Sequence, residues 1–489
     1  PYTTLFRSEF NIQDKDGVLY AFAKTVDTQI PATGETVPGD PQPGDLKAYS
    51  EKSDKDYDPL KDPSIDQSLL GHTYQVVMPM TVTKVKDGHT VENTATQVTN
   101  DKRDKTNTVT NPLKEINPKK DVTVKVGGDS IDGKSVYLNH TFLYRLDSSI
   151  LPPDRAYQTV TDWGGTDQLN TEYDQYLGNW AVYASRDLYR DGQVLAARGE
   201  KIAGSGFDSS KFGGNLFTVD ADDNGKVTAD ATQTYLDLVS ADNEHEAGWV
   251  LYLQCKRIAV ADEVPNTWTE TINGQPRESN KVVTKTPDMT PSIHLEKVDT
   301  PTLKQEGQEQ ADRDDPKQAL KMDADSIGIT FIITNTSKTD PATGDGAWFK
   351  ASDLNLDDST IVGDAHVDMD SLTYPADWDT LVLKPGESVS VTGTLKGVKE
   401  GETHTDRAIV TGTPLVECAP SNGDPFNDKT DGGEDTDPEY STGDVTEIDG
   451  KQLCADTQTT SNTDDWNGYR AKPLASTGTA VLGLGNIGP

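Results

Sequence analysis

Cysteine is scarce in this chain, with three in 489 residues, so at most one intrachain disulfide can form. Basic residues are also few: 45 Lys and Arg stand against 81 Asp and Glu, a formal net charge of −36. That balance argues against a nucleic-acid binder, which must neutralise phosphates with Lys and Arg. No run of 18 apolar residues occurs, so no segment reads as a membrane-spanning helix. The seven histidines show neither His-Glu-x-x-His nor Cys-x-x-Cys spacing, and a zinc site is unsupported. Apolar residues make up only 33%, but at this length two to four domains with modest cores are expected. The remainder is rich in Thr, Asp and Gly, the composition of an acidic extracellular β protein.

Strand patterns dominate. Thr73–Thr83, Asp121–Val126, Thr141–Leu146, Trp249–Gln254 and Ile327–Thr334 are rich in β-branched and aromatic residues and bounded by Gly, Pro, Asn and Asp. Pro79 marks an edge strand or bulge. Helical periodicity is limited to Ala229–Ser240, which reads as one short helix. Many short strands between turn signals predict an all-β chain of tandem Ig-like or adhesin sandwiches.

Both ends carry distinctive sequence. Residues 1–8 match the translation of a common sequencing adapter and are expected to be an assembly artefact. Leu474-Ala475-Ser476-Thr477-Gly478 and the apolar residues after it resemble a Gram-positive sorting signal, with Ala475 where Pro is usual. The short apolar segment and absent basic tail read as a truncated signal, 474–489. Pro-rich joints at 111–118 and 286–291 divide the remainder into a truncated first domain (9–112), a complete middle domain (113–286) and a third domain (287–416, plus some of the tail). Residues 417–472 contain 14 acidic and 4 basic residues, and 417–473 is expected to be a solvated loop or linker.

Dispersed motifs in the middle of the chain occur in a specific order. Asn117–Val124 precedes Ile131–Lys134 and Thr141–Leu146, followed by Tyr173–Asn179, Tyr252–Ala259 and Pro265–Trp268. In that order they resemble the last C-terminal domain of the streptococcal antigen I/II adhesins. Met78–Val82 and Val91–Ala95 resemble the end of the domain before it. The resemblance implies tandem stalk sandwiches of a wall-anchored adhesin, with an internal Lys–Asn isopeptide bond. The bonding Lys falls on Lys120, the Asn on Asn266 and the assisting carboxyl on Asp162. In the first domain the bonding Asn falls on Asn93, whose Lys partner is expected to lie in the truncated part, so no cross-link is expected there.

The residue types suit that chemistry independently. Burial lowers a lysine pKa and frees the amine as a nucleophile. A buried acid with a raised pKa can polarise the amide and carry a proton while ammonia leaves. An ordinary Lys120–Asp162 salt bridge with Asn266 capping a turn remains the alternative.

The third domain resembles the immunoglobulin-like repeats of bacterial surface proteins through Pro291–Asp299, Ile327–Thr336, Leu383–Leu395 and Thr405–Gly412. Lys297 and Asp406 would suit a Lys–Asp isopeptide bond, although each is favoured as an exposed strand charge. Cys255 sits in an apolar strand and reads as an inert core thiol. Cys418 and Cys454 flank the acidic segment and are expected to pair outside the cell. Asp220, Asp222 and Asn224 open like a calcium loop, but Ala231 stands where the bidentate acid is required. A solvated turn is favoured there, and calcium is the one cofactor the sequence admits. The combined reading is the wall-proximal part of an extracellular, wall-anchored Gram-positive adhesin with no enzyme activity beyond its own cross-linking. Its expected partners are a sortase, peptidoglycan and host or bacterial surface glycoproteins. The rival readings are a purely structural stalk and a secreted glycan-acting enzyme.

Overall fold

A computed structural model describes the strands 10–15 and 18–23, parts of 80–105, and residues 106–300, 313–420, 423–426 and 445–473. It divides the chain into Pro1–Ile116 and Asn117–Pro489. The described part of the first unit consists of antiparallel pairs: Phe10–Lys15 with Val18–Ala23, Thr90–Asn93 with Val109–Pro112, and Thr96–Thr99 with Lys102–Lys105. Asn93 is exposed in the second pair, opposite Val109.

The second unit begins with a β-sandwich. One sheet orders Lys201–Gly204, Asp174–Ala184, Trp249–Arg257, Thr141–Asp147 and Lys119–Thr123; the other orders Phe217–Ala221, Lys226–Ala231, Trp163–Gln168, Trp268–Ile272 and Gln275–Glu278. Trp249 contacts Trp163, Trp268 and Phe217 in the core, with centroids 5.3–6.2 Å apart. Alternation places Trp163, Gly165 and Asp167 on buried positions of one strand. Gly165 is required by close packing: a Cβ there would lie 2.7 Å from the Trp268 ring.

The expected helix over Ala229–Ser240 begins late. Lys226–Ala231 is a strand paired with Trp163–Gln168, and the helix is Gln233–Ala241. Sheet pairing that buries Val227 and Ala229 overrides the helix propensity of the Ala-rich start. Tyr235, Leu236, Leu238 and Val239 supply the buried face of the helix.

A second sandwich follows. Ile293–Asp299, Ser326–Asn335, Ser388–Lys396 and His366–Val367 form one sheet. Leu320–Met322, Asp464–Arg470, Thr403–Gly412 and Asn355–Val362 form the main path of the other. Leu295, Ile329, Phe331, Val391, Val410 and Trp466 are among its core residues. The expectation of a solvated linker over 417–473 is corrected here. Asp464–Arg470 runs antiparallel to Thr403–Gly412 and parallel to Leu320–Met322, so it is an interior strand. Leu415–Glu417, Lys451–Ala455 and Thr446–Ile448 form a further small sheet. Acidic composition concealed the inward alternation of Asp464, Trp466 and Gly468.

The two sandwiches also share contacts. Phe426 is fully buried in a cluster with Leu143, Ala181, Tyr183, Val250 and Tyr252 on the middle sandwich. Beside it, Gln254 Nε2 donates to the Gly423 carbonyl at 3.1 Å. The strand Trp249–Arg257 is buried on both faces along most of its length, and its first five residues, Trp249–Leu253, read as a continuous apolar run.

Candidate cross-link sites

Lys120 lies on Lys119–Thr123, an edge strand of the middle sandwich, with Lys120 and Val122 facing inward and Lys119 exposed. The Asn280 side chain holds the Lys120 backbone, accepting from its N–H at 2.9 Å and donating to its carbonyl at 2.8 Å. Trp268 Nε1 donates to the Lys119 carbonyl at 2.9 Å, fixing the strand against the opposite sheet. The Lys120 ammonium is fully buried, 4.4 Å from the Tyr144 ring centroid. It donates to Oδ2 of Asp167, whose side chain is also buried. Burial pushes the Lys120 pKa down, and the Asp167 charge only partly opposes this.

Asp167, and not Asp162, is the acid in contact with Lys120. Asp162 instead accepts a hydrogen bond from Gly274 N at 3.1 Å, at the hairpin between Trp268–Ile272 and Gln275–Glu278. Asp162 and Asp167 sit at opposite ends of the Trp163–Gln168 strand, about 16 Å apart at ~3.3 Å per residue. The inward alternation Trp163, Gly165, Asp167 is the sequence signal that identifies the buried acid.

Asn266 ends the strand Ala261–Asn266, two residues before Trp268, which pairs in register with Asp167. Its side-chain Oδ1 and Nδ2 are both buried and have no hydrogen-bond partner. An unsatisfied buried amide costs about 1–3 kcal/mol for each polar group. Below the site, Arg257 donates to Asp174 at 2.7 Å and to Thr284 and Thr286 at 2.7 and 2.6 Å. Tyr144 also donates to Asp174 at 2.8 Å. Burial raises both the Asp174 carboxyl and the nearby Cys255 thiol. The arrangement sets an amine whose pKa burial lowers against the buried side chain of Asp167.

The third domain departs from its expectation. Neither Lys297 nor Asp406 is an exposed strand charge: both side chains are fully buried and their charged atoms lie 2.6 Å apart. Lys297 follows Ile293 and Leu295 on the inward face, and Asp406 lies between inward His404 and Ala408. A residue that sequence reasoning missed, Asp358, accepts a hydrogen bond from Lys297 Nζ.

Cys418 and Cys454 are joined as a disulfide with Cα atoms 4.9 Å apart, and Cys255 is a buried free thiol. Asp220, Asp222 and Asn224 surround the turn between Phe217–Ala221 and Lys226–Ala231. Asp222 Oδ1 accepts from the Asn224 and Lys226 N–H groups at 2.9 Å each, as in the favoured turn. Among the described residues no group of three or more acids, His or Cys is placed to hold a metal. The adapter-like residues 1–8 and the sorting-type residues Leu474–Gly478 lie outside the described residues. Among the described residues no helix is long and apolar enough to cross a membrane.

Comparison with known proteins gives two family matches. Residues 117–287 match the cell surface antigen C-terminus, and residues 4–113 match the cell surface antigen I/II C2 terminal domain. The second match begins inside the adapter-like segment. An aggregation substance of Enterococcus faecalis is 36% identical over 225 residues, 45% of this chain and 16% of that protein. The C-terminal domain of the Streptococcus pyogenes antigen I/II-family protein AspA is 28% identical, with a TM-score of 0.35, over 40% of this chain and 54% of that one. The Streptococcus agalactiae BspA C-terminal domain is 23% identical, with a TM-score of 0.35, over 41% of this chain and 59% of that one. The chain thus spans a small part of its curated relative and just over half of these two solved chains. The family is one of surface adhesins rather than enzymes. Residues 4–113 and 117–287 thus match, in order, two C-terminal domain types of the cell surface antigen I/II family.

Proposed function

We propose that this chain is the wall-proximal stalk of a Gram-positive adhesin whose middle sandwich is locked by a Lys120–Asn266 isopeptide bond. The observation that carries this reading is the buried Lys120–Asp167 pair, together with an Asn266 carboxamide that has no hydrogen-bond partner. Lys120 Nζ attacks Cγ of Asn266, a C–N bond forms, and the bond to Nδ2 breaks. Asp167 carries the proton from the amine to the departing ammonia. The bond ties positions 146 residues apart, worth about 5 kcal/mol on the loop-entropy account of a cross-link. In a stalk, tension across the middle sandwich then passes through covalent bonds.

Anchoring completes the reading. A sortase cysteine attacks the Thr477 carbonyl in Leu474–Gly478, the Thr477–Gly478 bond breaks to release the segment from Gly478 as an amine, and a peptidoglycan amine then displaces the cysteine thiol. The stalk then raises the binding regions of the full adhesin toward host or bacterial surface glycoproteins. Peptide mapping tests the central claim. A tryptic digest of the full chain should join the peptide 120–125 to 258–277, with the loss of one ammonia. Recovery of both peptides unlinked and unmodified would overturn it.

A further inference from the structure

We propose that the third domain carries its own intramolecular cross-link, a Lys297–Asp406 amide formed with Asp358 as the proton carrier. Three strands bring these residues together. Lys297 is on Ile293–Asp299 in one sheet, and Asp358 and Asp406 are on adjacent strands of the other. In register, Asp358 faces Ala408 and Asp406 faces Thr360, so the two acids are diagonal neighbours.

The contacts distinguish the two acids. Asp358 accepts a hydrogen bond from Lys297 Nζ. Oδ1 of Asp406 lies 2.6 Å from the same nitrogen, but outside hydrogen-bonding geometry. An amine held by one carboxyl and close to the other is arranged for attack on the second. Phe331 lies 5.4 Å away and lines the apolar side, while His404 Nε2 lies 3.2 Å from Asp406 Oδ2. One ammonium among two fully ionised carboxylates would leave a buried excess negative charge, which is costly. A proton on Asp358 removes that excess. Burial and the nearby Asp406 charge raise the Asp358 carboxyl to about 6, which suits it to hold that proton.

The step balances without an oxidant or co-reactant. Lys297 Nζ forms a bond to Cγ of Asp406, and one C–O bond of that carboxyl breaks. Asp358 gives its proton to the departing oxygen; of the two protons the ammonium loses, one completes the water and the other restores the Asp358 acid. One water leaves, and a buried ion cluster becomes a neutral amide beside a carboxylic acid. The leaving group separates this reaction from the Lys120–Asn266 step, which releases ammonia.

Tryptic mapping of the full chain decides the matter. Lys297 should resist cleavage, and the peptide 286–304 should be recovered joined to 400–407 with the loss of one water. Asp358→Ala should leave Lys297 cleavable and the two peptides separate, with circular dichroism showing a retained β fold. A free peptide ending at Lys297 in the wild-type digest overturns the proposal, whether or not the variant folds. A branch from Lys297 to Asp358 overturns the assignment of roles. The 120–125 and 258–277 peptides are read in the same digest, so the two cross-links fail or stand separately.

Discussion

The Asp167 carboxylate accepts a hydrogen bond from Lys120 across the middle sandwich, whereas Asp162 at the other end of the same strand binds a hairpin N–H. The two acids should therefore respond differently to substitution. Asp167→Ala should leave Lys120 unlinked and lower stability by about 5 kcal/mol, the loop-entropy contribution of the lost cross-link. Asp162→Ala should keep the cross-link and cost about 1–2 kcal/mol, the two hydrogen bonds its carboxylate accepts from Gly274 N and Thr161 Oγ1. Intact mass and thermal melting of both variants check this; a linked Asp167→Ala protein would refute the assigned role.

The Cys418–Cys454 bond closes 36 residues. Reduction should cost about 4 kcal/mol on the loop-entropy account. The melting transition should shift with reductant while both amide cross-links persist. Cys255 is buried and its thiol pKa is raised, so it should resist alkylation until the chain unfolds.

Phe426 fills a cluster on the middle sandwich from a segment that follows Cys418. Phe426→Ala should cost about 3 kcal/mol of local stability. Limited proteolysis between residues 419 and 445 should accelerate, with the two sandwich cores unaffected. An unchanged cleavage rate would show that the contact contributes little in solution.

His140 packs edge-on against Tyr137 at 5.6 Å and bonds to the Glu417 backbone. Burial lowers its pKa from 6.5 to about 4. The unfolded chain therefore binds more protons between these values. The stabilising contribution of neutral His140 is complete above 6.5 and declines as the pH falls toward 4. Burial raises the Glu417 carboxyl, which has the opposite slope, so the measurement is the difference between wild type and His140→Gln. That difference should narrow on acidification; a constant difference would rule out this titration.

Much of the fold was legible because strand alternation is local. Thr141–Leu146 and Trp249–Gln254 were both identified, and both form interior strands. The tail was misread because its charge count averages over a strand with one Trp facing inward. The ordered motifs single out Lys120 and Asn266, which are both buried, but the acid in contact with Lys120 is at the other end of the strand from Asp162. Parity would have corrected it: Asp167 shares the face of Trp163 and Gly165, and Asp162 does not. The same test would have shown Lys297 after Ile293 and Leu295, and Asp406 beside Ala408 and Val410, as interior residues. Asp358 lies in a largely exposed strand, and only the packing of the two sheets reveals it.

The position of Asp464–Arg470 inside its sheet imposes an order on assembly. A chain delivered from its N-terminus contains every strand of the middle sandwich once Thr286 has emerged. The following sandwich lacks an interior strand until Arg470 is out. Until then Lys297 has no Asp464 carboxylate at its backbone N–H, and the core has no Trp466. The middle sandwich can therefore close before the sandwich that follows it has all of its strands.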